Sequence, residues 1–355
     1  MHLHHKLQEL LHNNPVGAPK SEEFIEILEI LFPPGEVEMA LLLSFSFKKL
    51  GDIAKEAGIP EEEASRILEG MADKGTILSK KTGDGRVYAL LPNYPGLFEY
   101  PIMKGMDAET QKRLGNLWHT YYMKDMVHEL ALADPPWKRV LPTEEAMTDE
   151  VLPYEVASEL IRTKSKSICL GICPCRTIEQ KCDKPTDTCL AFDGAADFMI
   201  ERGIAKKITV EEAIEVLKRT EEAGLVHLGS NNKNNLLFIC NYCPCCCHIF
   251  RQYTEFNYPQ SIGKSSYLAG IQADECNGCG ICAEERCPVK AIAMLNDVAA
   301  LDSAKCIGCG LCVSTCPTKA ISLLKREEYQ EPPDTLNQLV QTVWKNKQEK
   351  NRSRR

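Results

Sequence analysis

The distribution of cysteine constrains this 355-residue chain more than any other feature. Residues 1 to about 150 contain none of the 18 cysteines, residues 169–247 contain ten, and residues 276–316 contain the other eight. Many of them are separated by two residues or fewer, which lets several thiolates converge on one metal centre. Disulfides are disfavoured in a reducing compartment, and a chain of this size does not need them. The pattern therefore predicts a metalloprotein.

Charge and hydropathy limit where such a protein works. The net charge is −8 and the pI is near 5.6, which is unfavourable for a general nucleic-acid binder. The longest apolar run, residues 39–47, is far short of the roughly 20 residues that span a bilayer. The first residues have no apolar signal-peptide core. We therefore expect a cytoplasmic protein without a membrane span.

The cysteine-free residues 1–94 are predicted to form short helices followed by a β-hairpin, because capping residues, prolines and glycines punctuate them. The expected elements are a helix capped by Ser21 and stopped by Pro33, helices at 36–47 and 48–57, a helix opened by Pro60 and closed by Gly75, and a hairpin turning at 82–85. This order resembles a winged helix-turn-helix domain. The resemblance implies either DNA binding or a role in docking or dimerisation.

The charge of this segment disfavours DNA. Residues 1–100 carry ten basic and sixteen acidic side chains, and the helix that would enter the groove begins with Glu61, Glu62 and Glu63. Neutralisation of phosphates supplies most of the affinity for DNA, so three carboxylates at this position oppose binding. We expect this domain to dock a partner oxidoreductase or a second copy of the chain.

The segments that flank the cysteine-rich regions carry little chemistry. Residues 95–165 are predicted to be a helical connector, and residues 326–355 a flexible tail. His119 and His128 are nine residues apart on no shared helical face, which favours ordinary surface or core histidines. Between the two groups of central cysteines, Thr209 and Glu212 form a capping box at the start of an amphipathic helix that Gly224 ends.

The most specific motif is a doubled one near the C-terminus, within residues 263–325. The first repeat is Cys276-x2-Cys279-x2-Cys282-x4-Cys287-Pro288, and the second is Cys306-x2-Cys309-x2-Cys312-x3-Cys316-Pro317. Cysteines at i, i+3 and i+6 of one loop can hold three corners of a cubane, so the fourth corner needs a distant cysteine. The pattern resembles that of the bacterial dicluster ferredoxins, which bind two [4Fe–4S] clusters.

That resemblance implies that the fourth ligands cross between the repeats. One cluster would take Cys276, Cys279, Cys282 and Cys316, and the other Cys306, Cys309, Cys312 and Cys287. The first repeat departs from the usual spacing by one extra residue before its last cysteine, which we expect the cluster to tolerate. A zinc ribbon is the alternative, but the doubled pattern exceeds what one zinc site uses. Helices are expected at 289–294 and 318–324, directly after each Cys-Pro.

The ten central cysteines, within a module at 166–262, leave three interpretations open. They could hold one or two further iron–sulfur clusters, a structural zinc site with or without His248, or a thiol-based redox site. Cys169 lies in an apolar run and is expected to be a buried thiol rather than a ligand. Three consecutive cysteines cannot all point the same way. The candidate ligands are Cys173, Cys175, Cys182, Cys189, Cys240, Cys243, Cys245, Cys246 and Cys247.

The combination of CPCR, CNYCPCCC and a dicluster motif resembles a family of 4Fe–4S binding proteins of strict anaerobes. We therefore expect an α+β protein with an N-terminal winged-helix-like domain, a central helical cysteine-rich module and a C-terminal ferredoxin-like domain. Its expected function is electron transfer to or from a partner oxidoreductase. One alternative is a redox-sensing regulator that reads DNA, and another is a reductase whose central cluster has one iron without a cysteine ligand.

Overall fold

The computed structural model describes residues 3–146 and 153–353. About 45% of the residues are helical and 18% lie in strands, which confirms a mixed α+β class. The chain divides into two compact units. One comprises residues 1–130, 171–180 and 194–207, and the other comprises residues 131–170, 181–193 and 208–355.

The helices and strands alternate irregularly along the chain. In order, the helices are α1 Leu3–His12, α2 Glu22–Leu31, α3 Glu36–Leu41, α4 Leu50–Ala57, α5 Glu61–Asp73, α6 Glu99–Lys104, α7 Ala108–Tyr121, α8 Val127–Ala131, α9 Ala157–Lys164, α10 Pro174–Glu179, α11 Asp193–Glu201, α12 Val210–Glu222, α13 His248–Thr254 and α14 Leu336–Ser353. The strands are β1 Lys48–Lys49, β2 Ile77–Thr82, β3 Gly85–Leu90, β4 Lys138–Leu141, β5 Ile168–Ile172, β6 Asp187–Phe192, β7 Lys206–Lys207, β8 Val226–Ser230, β9 Phe238–Tyr242, β10 Tyr267–Ile271, β11 Ile292–Leu295, β12 Val298–Leu301 and β13 Ile321–Lys325.

In the first unit, a small sheet follows a set of helices. Strands β2 and β3 form the hairpin expected from the Asp-Gly turn, and β1 pairs with the outer edge of β3. Helix α3 ends at Leu41, six residues earlier than expected, and the chain then turns before β1. Helix α5 begins directly after Pro60, so Glu61, Glu62 and Glu63 occupy its exposed first turn.

Aromatic side chains form the core that joins α2 to α7. Trp118 is fully buried, and Phe24 stacks on Tyr121 with their ring centroids 4.7 Å apart. Phe98 meets the Trp118 ring edge-on at 5.4 Å. Each such pair contributes about 0.5–1.5 kcal/mol of stability beyond the contribution of the apolar area that it buries.

A buried arginine in the first unit donates hydrogen bonds to three side chains. Arg202 is 5% exposed, and its guanidinium donates to Asp73 at 2.8 Å, to Glu69 at 3.1 Å and to Ser79 at 2.6 Å. Removing the guanidinium leaves these acceptors without their buried donor. We expect Arg202→Met to lower the free energy of unfolding by about 1.5–3 kcal/mol, measured by urea denaturation and circular dichroism.

Arg219 provides the matched control for that substitution. It pairs with Asp187 at 2.9 Å, but its side chain is 39% exposed. Arg219→Met is therefore expected to cost less than about 1 kcal/mol. Equal losses for the two variants would contradict the role assigned to the buried Arg202.

The start of α2 differs in detail from the expected cap. Ser21 occupies the N-cap position, but its hydroxyl donates to Glu23 at 2.5 Å rather than capping a backbone amide. Hydrogen bonds from Lys124 and Ser21 lower the pKa of Glu23 to about 2. Because the carboxyl pKa is depressed in the folded state, its stabilisation is present at neutral pH and is lost as the pH falls.

We expect Glu23→Gln to lower the free energy of unfolding by at most about 1 kcal/mol at pH 7, because Lys124 is solvent-exposed. The difference between variant and wild type should shrink between pH 4.5 and about 2, where wild-type Glu23 itself becomes protonated. Denaturation curves at a series of pH values measure it. A difference that stays constant down to pH 2 would assign the effect to something other than charge.

In the second unit, strands of the cysteine-rich segment form a sheet together with β4, which precedes that segment. Strands β4, β8, β9, β6 and β5 lie side by side in that order, and the pairs β4–β8, β8–β9 and β9–β6 are antiparallel. The segment therefore carries strands as well as the helices expected for it, because its apolar runs are short and bounded by turns. Helix α12 has the predicted capping box at Thr209 and Glu212.

The ferredoxin-like segment contains strands where helices were expected. The residues after Cys287 and Cys316 form β11 and β13, so the predictions of helices at 289–294 and 318–324 were wrong. Lys290 and Lys319 have left-handed φ values of 51° and 57°, which end any helix begun at the preceding proline. Strand β11 pairs with β12, and β13 pairs with β10.

The segment at 326–355 also differs from the expected flexible tail. Within it, α14 buries Leu339 and Val343, which are four residues apart and pack beside Ala133 and Trp137. An apolar pair at i, i+4 lies on one helical face, and this explains the ordered helix. Among the described residues, no helix combines the length and apolarity needed to cross a membrane.

Candidate metal centres

The first ferredoxin site is a cavity of about 330 Å³. Three of its cysteines come from the loop after β10, and the fourth comes from the second repeat. The cysteines that line it are Cys276, Cys279, Cys282 and Cys316. Met294, Ala299 and Ile321 supply apolar wall on the side of the strands. The structure thus brings together the crossed set of thiols expected from the resemblance.

The second ferredoxin site is a cavity of about 340 Å³. Three of its cysteines come from the loop after β12, and the fourth closes the first repeat. They are Cys306, Cys309, Cys312 and Cys287. The backbone amide of Ala291 donates to the Cys287 sulfur at 3.1 Å, the kind of bond that stabilises a thiolate. Each site therefore presents four thiols around one space, and the residues present fit a [4Fe–4S] cluster in both.

The two sites differ in exposure. Cys306, Cys309 and Cys312 of the second site are all buried, whereas Cys279 of the first site is exposed. Exposed carboxylates flank the loop of the first site in sequence on both sides, at Asp274, Glu275, Glu284 and Glu285. The first site is therefore the more exposed of the two in its cysteines, and exposed acidic side chains flank it in sequence.

The thiol pKa values follow this burial. Burial raises the pKa of Cys309 to about 12, and burial together with nearby thiolates raises the pKa of Cys312. For Cys316, burial acts in the same direction, but hydrogen bonds from Thr318 and from backbone amides outweigh it and lower the pKa. A coordinated cation deprotonates its thiol ligands and so reverses the effect of burial.

A third group of cysteines lies in the central segment. Cys182 precedes β6, and Cys243, Cys245 and Cys246 form the turn between β9 and α13. In the described residues 3–146 and 153–353, this is the one group of three or more Cys, His, Asp or Glu side chains whose ligand atoms all lie within 4.8 Å of one another. Leu225 and Ala223 cover it from the end of α12. We call it the four-thiol group.

The other predicted central ligands lie outside this group. Cys173 is the N-cap of α10 and hydrogen bonds with Cys175, whereas Cys189 lies on β6. Cys240 and Cys247 pack against the apolar core that contains the second ferredoxin site. Of the remaining residues discussed above, Cys169 is fully buried on β5 as expected, and His248 is buried at the start of α13.

The side chains of the three consecutive cysteines, residues 245–247, do not all point the same way, as expected from the sequence. The sulfur of Cys247 accepts the backbone N–H of Phe250 at 3.4 Å and so caps α13. Cys245 and Cys246 point instead into the four-thiol group, with their sulfurs 3.8 Å apart. This geometry leaves His248 out of the group, although the sequence had made it a possible zinc ligand.

Arg286 lines the second ferredoxin site, and motif analysis missed it. Its guanidinium donates to the backbone carbonyls of Leu311 at 3.3 Å, Glu221 at 2.8 Å and Glu222 at 3.1 Å. It therefore ties the loop of the second ferredoxin site to the end of α12, which covers the four-thiol group. The sequence signal was the extra residue between Cys282 and Cys287, a spacing that does not by itself identify Arg286.

Comparison with known proteins supports the ferredoxin sites. The family model of the 4Fe-4S binding domain matches residues 299–322, which contain Cys306, Cys309, Cys312 and Cys316. No curated protein and no solved structure matches the chain. The matched segment contains three of the cysteines that line the second site and one of those that line the first. The chain therefore has a 4Fe–4S binding domain and, with its many cysteines, the capacity for iron–sulfur electron transfer.

Proposed function

We propose that this chain is an iron–sulfur electron-transfer protein that passes single low-potential electrons to or from a partner oxidoreductase in anaerobic metabolism. The observation that carries the proposal is the pair of four-cysteine cavities in the ferredoxin-like segment, one with three buried cysteines and one with the exposed Cys279. A [4Fe–4S] cluster supplies reversible one-electron chemistry when bound. Resemblance to proteins of strict anaerobes supports the anaerobic setting.

The exposure of the cysteines indicates which ferredoxin site exchanges electrons with the partner. Three of the four cysteines that line the second site are buried, and the fourth, Cys287, is only partly exposed. The first site has the exposed Cys279, so we assign it as the point of exchange with the partner. Glu284 and Glu285 lie within the same loop and are exposed, which fits a partner with a basic rim through complementary potentials.

A stopped-flow experiment tests this assignment. The anaerobically purified protein is reduced with dithionite, freed of reductant and mixed with cytochrome c, a basic one-electron acceptor. We expect oxidation in one-electron steps at a rate that falls steeply with ionic strength. Glu284→Gln/Glu285→Gln should slow the second-order step severalfold at low salt without changing the iron content.

Glu61→Gln/Glu62→Gln is the matched control, because it changes the net charge equally on an exposed helix of the other unit. We expect it to leave the rate unchanged. Equal slowing by both double variants would assign the effect to net charge and contradict a docking surface at the first site. Failure of the reduced protein to transfer electrons would contradict the proposed function itself.

For residues 1–94 we propose a winged-helix-like domain that docks the partner oxidoreductase or a second copy of the chain. The order α4, α5 and hairpin supports the fold, and the exposed carboxylates Glu61, Glu62 and Glu63 at the start of α5 disfavour DNA. We expect no shift of duplex DNA in a gel assay at low salt. A salt-sensitive shift there would favour the redox-sensing regulator instead.

A further inference from the structure

The sulfur atoms of the four-thiol group are unusually close together. The Cys182 sulfur lies 3.9 Å from that of Cys243 and 3.8 Å from that of Cys246, and the Cys246 sulfur lies 3.8 Å from that of Cys245. The four residues come from two stretches of the chain, with Cys182 before β6 and the other three in the turn between β9 and α13. Uncharged thiols gain little from such crowding, so the arrangement itself points to a ligand.

Simple geometry identifies what four sulfurs at this spacing can hold. Four thiolates placed tetrahedrally around one ion with bonds of about 2.3 Å, the zinc–sulfur distance, are about 3.8 Å from one another. The sulfur–sulfur separations in the four-thiol group agree with this edge length. A cubane gives each thiolate its own iron at a separate corner, so its four ligands stand farther apart than ligands that share one ion.

The ferredoxin sites provide an internal comparison. Among the described residues, neither of their cysteine sets contains three sulfurs that all lie within 4.8 Å of one another, whereas the four-thiol group does. Both ferredoxin sets surround cavities of more than 300 Å³. The chain thus has two kinds of four-cysteine site. The sulfurs of the ferredoxin sites are spaced widely, as a cluster requires, and those of the four-thiol group are spaced closely, as a single ion requires.

We propose that Cys182, Cys243, Cys245 and Cys246 bind one zinc ion as a tetrahedral tetrathiolate site. Zinc is the common ion of closed four-cysteine sites, and it binds such ligands more tightly than ferrous iron does. Cys243 and Cys246 are fully buried, and the backbone amide of Lys181 hydrogen bonds to the Cys246 sulfur, which orients it. Binding releases the thiol protons, so the ion is held by thiolates.

The site has a structural consequence for the second ferredoxin site. Leu225 packs on the four-thiol group at the end of α12, and Arg286 rests on the carbonyls of Glu221 and Glu222 at that same end. Lys184, two residues after Cys182, donates to the carbonyl of Ala223 there. The zinc ion therefore fixes the helix end against which the loop of the second ferredoxin site is anchored.

The test measures zinc, iron and sulfide in protein purified anaerobically from cells supplied with both metals. We expect about one zinc per chain beside about eight iron and eight sulfide, at about four of each per cubane. X-ray absorption at the zinc edge should show four sulfur neighbours at about 2.3 Å. The double variant Cys182→Ser/Cys246→Ser should lose the zinc and keep most of the iron.

Cys240→Ala is the matched control, because Cys240 lies three residues from Cys243 but faces the other apolar core. It should retain the zinc. If the double variant fails to fold, the zinc-edge spectrum of the wild-type protein decides. About twelve iron with matching sulfide and no zinc overturns the inference, and so does one iron in excess over sulfide. About eight iron without zinc overturns the zinc site and leaves the proposed electron-transfer function intact. One zinc without iron–sulfur clusters supports the zinc site and overturns the proposed function.

Discussion

Replacing Cys316 with Ala is expected to remove the cluster of the first ferredoxin site and leave that of the second. Cys316 belongs to the second sequence repeat, but its side chain lines the cavity that contains Cys276, Cys279 and Cys282. Total iron in the anaerobically purified variant should fall from about eight to about four per chain, at about four per cubane. Iron and sulfide analysis measures the loss directly.

Pairs of substitutions show which cluster is lost. If Cys316 and Cys276 serve the same cluster, Cys316→Ala/Cys276→Ala should keep about four iron, no fewer than the single variant. Cys316→Ala/Cys309→Ala should lose nearly all of the iron, because it removes a ligand from each site. The opposite pattern, with the second pair equivalent to the single variant, would show that the repeats bind their clusters without exchanging ligands.

A second large effect on iron content is expected when one methyl group is added at Gly308. Gly308 has a left-handed φ of 72°, and a Cβ atom built there would lie 2.2 Å from the carbonyl oxygen of Tyr267 and 2.1 Å from the hydroxyl of Ser265. The carbonyl belongs to a paired strand and cannot move without distorting β10. We expect Gly308→Ala to lose the cluster of the second site, with iron reduced by about four per chain.

Gly280→Ala separates that collision from backbone strain. Gly280 has a similar φ of 76°, but the nearest atom to its built Cβ is a carboxylate oxygen of Glu284 at 3.3 Å, at the end of a flexible side chain. Both variants carry the strain of a left-handed residue, which costs about 1–2 kcal/mol. Gly280→Ala should therefore keep most of its iron. Equal loss from the two variants would assign the effect to strain alone.

The ferredoxin sites show how far a cysteine pattern can be read. The spacing and the resemblance indicated both four-cysteine sets, and the structure brings each set around one cavity. The elements after each Cys-Pro were predicted wrongly as helices, because Lys290 and Lys319 adopt φ values that sequence periodicity does not reveal. Pairing with β12 and β10 then decides the strand conformation of those residues.

The central segment was less predictable for a physical reason. Its ten cysteines allow many groupings, and the grouping depends on which residues strand pairing and helix capping bring together. Cys247 caps α13 and so leaves the group that Cys245 and Cys246 join. Arg286 was likewise beyond motif analysis, since its acceptors are backbone carbonyls that lie 25 to 65 residues away in sequence.

The central claim, that the chain carries two one-electron centres, is tested most directly by a coulometric reductive titration of the anaerobically purified protein, with the reduced centres counted by spin-quantified electron paramagnetic resonance. The proposed function predicts uptake of about two electrons per chain in one-electron steps, about one for each [4Fe–4S] cluster. It also predicts that Cys316→Ala takes up about one. A wild-type protein that takes up no electrons at low potential, or only a single pair together, would contradict the proposal.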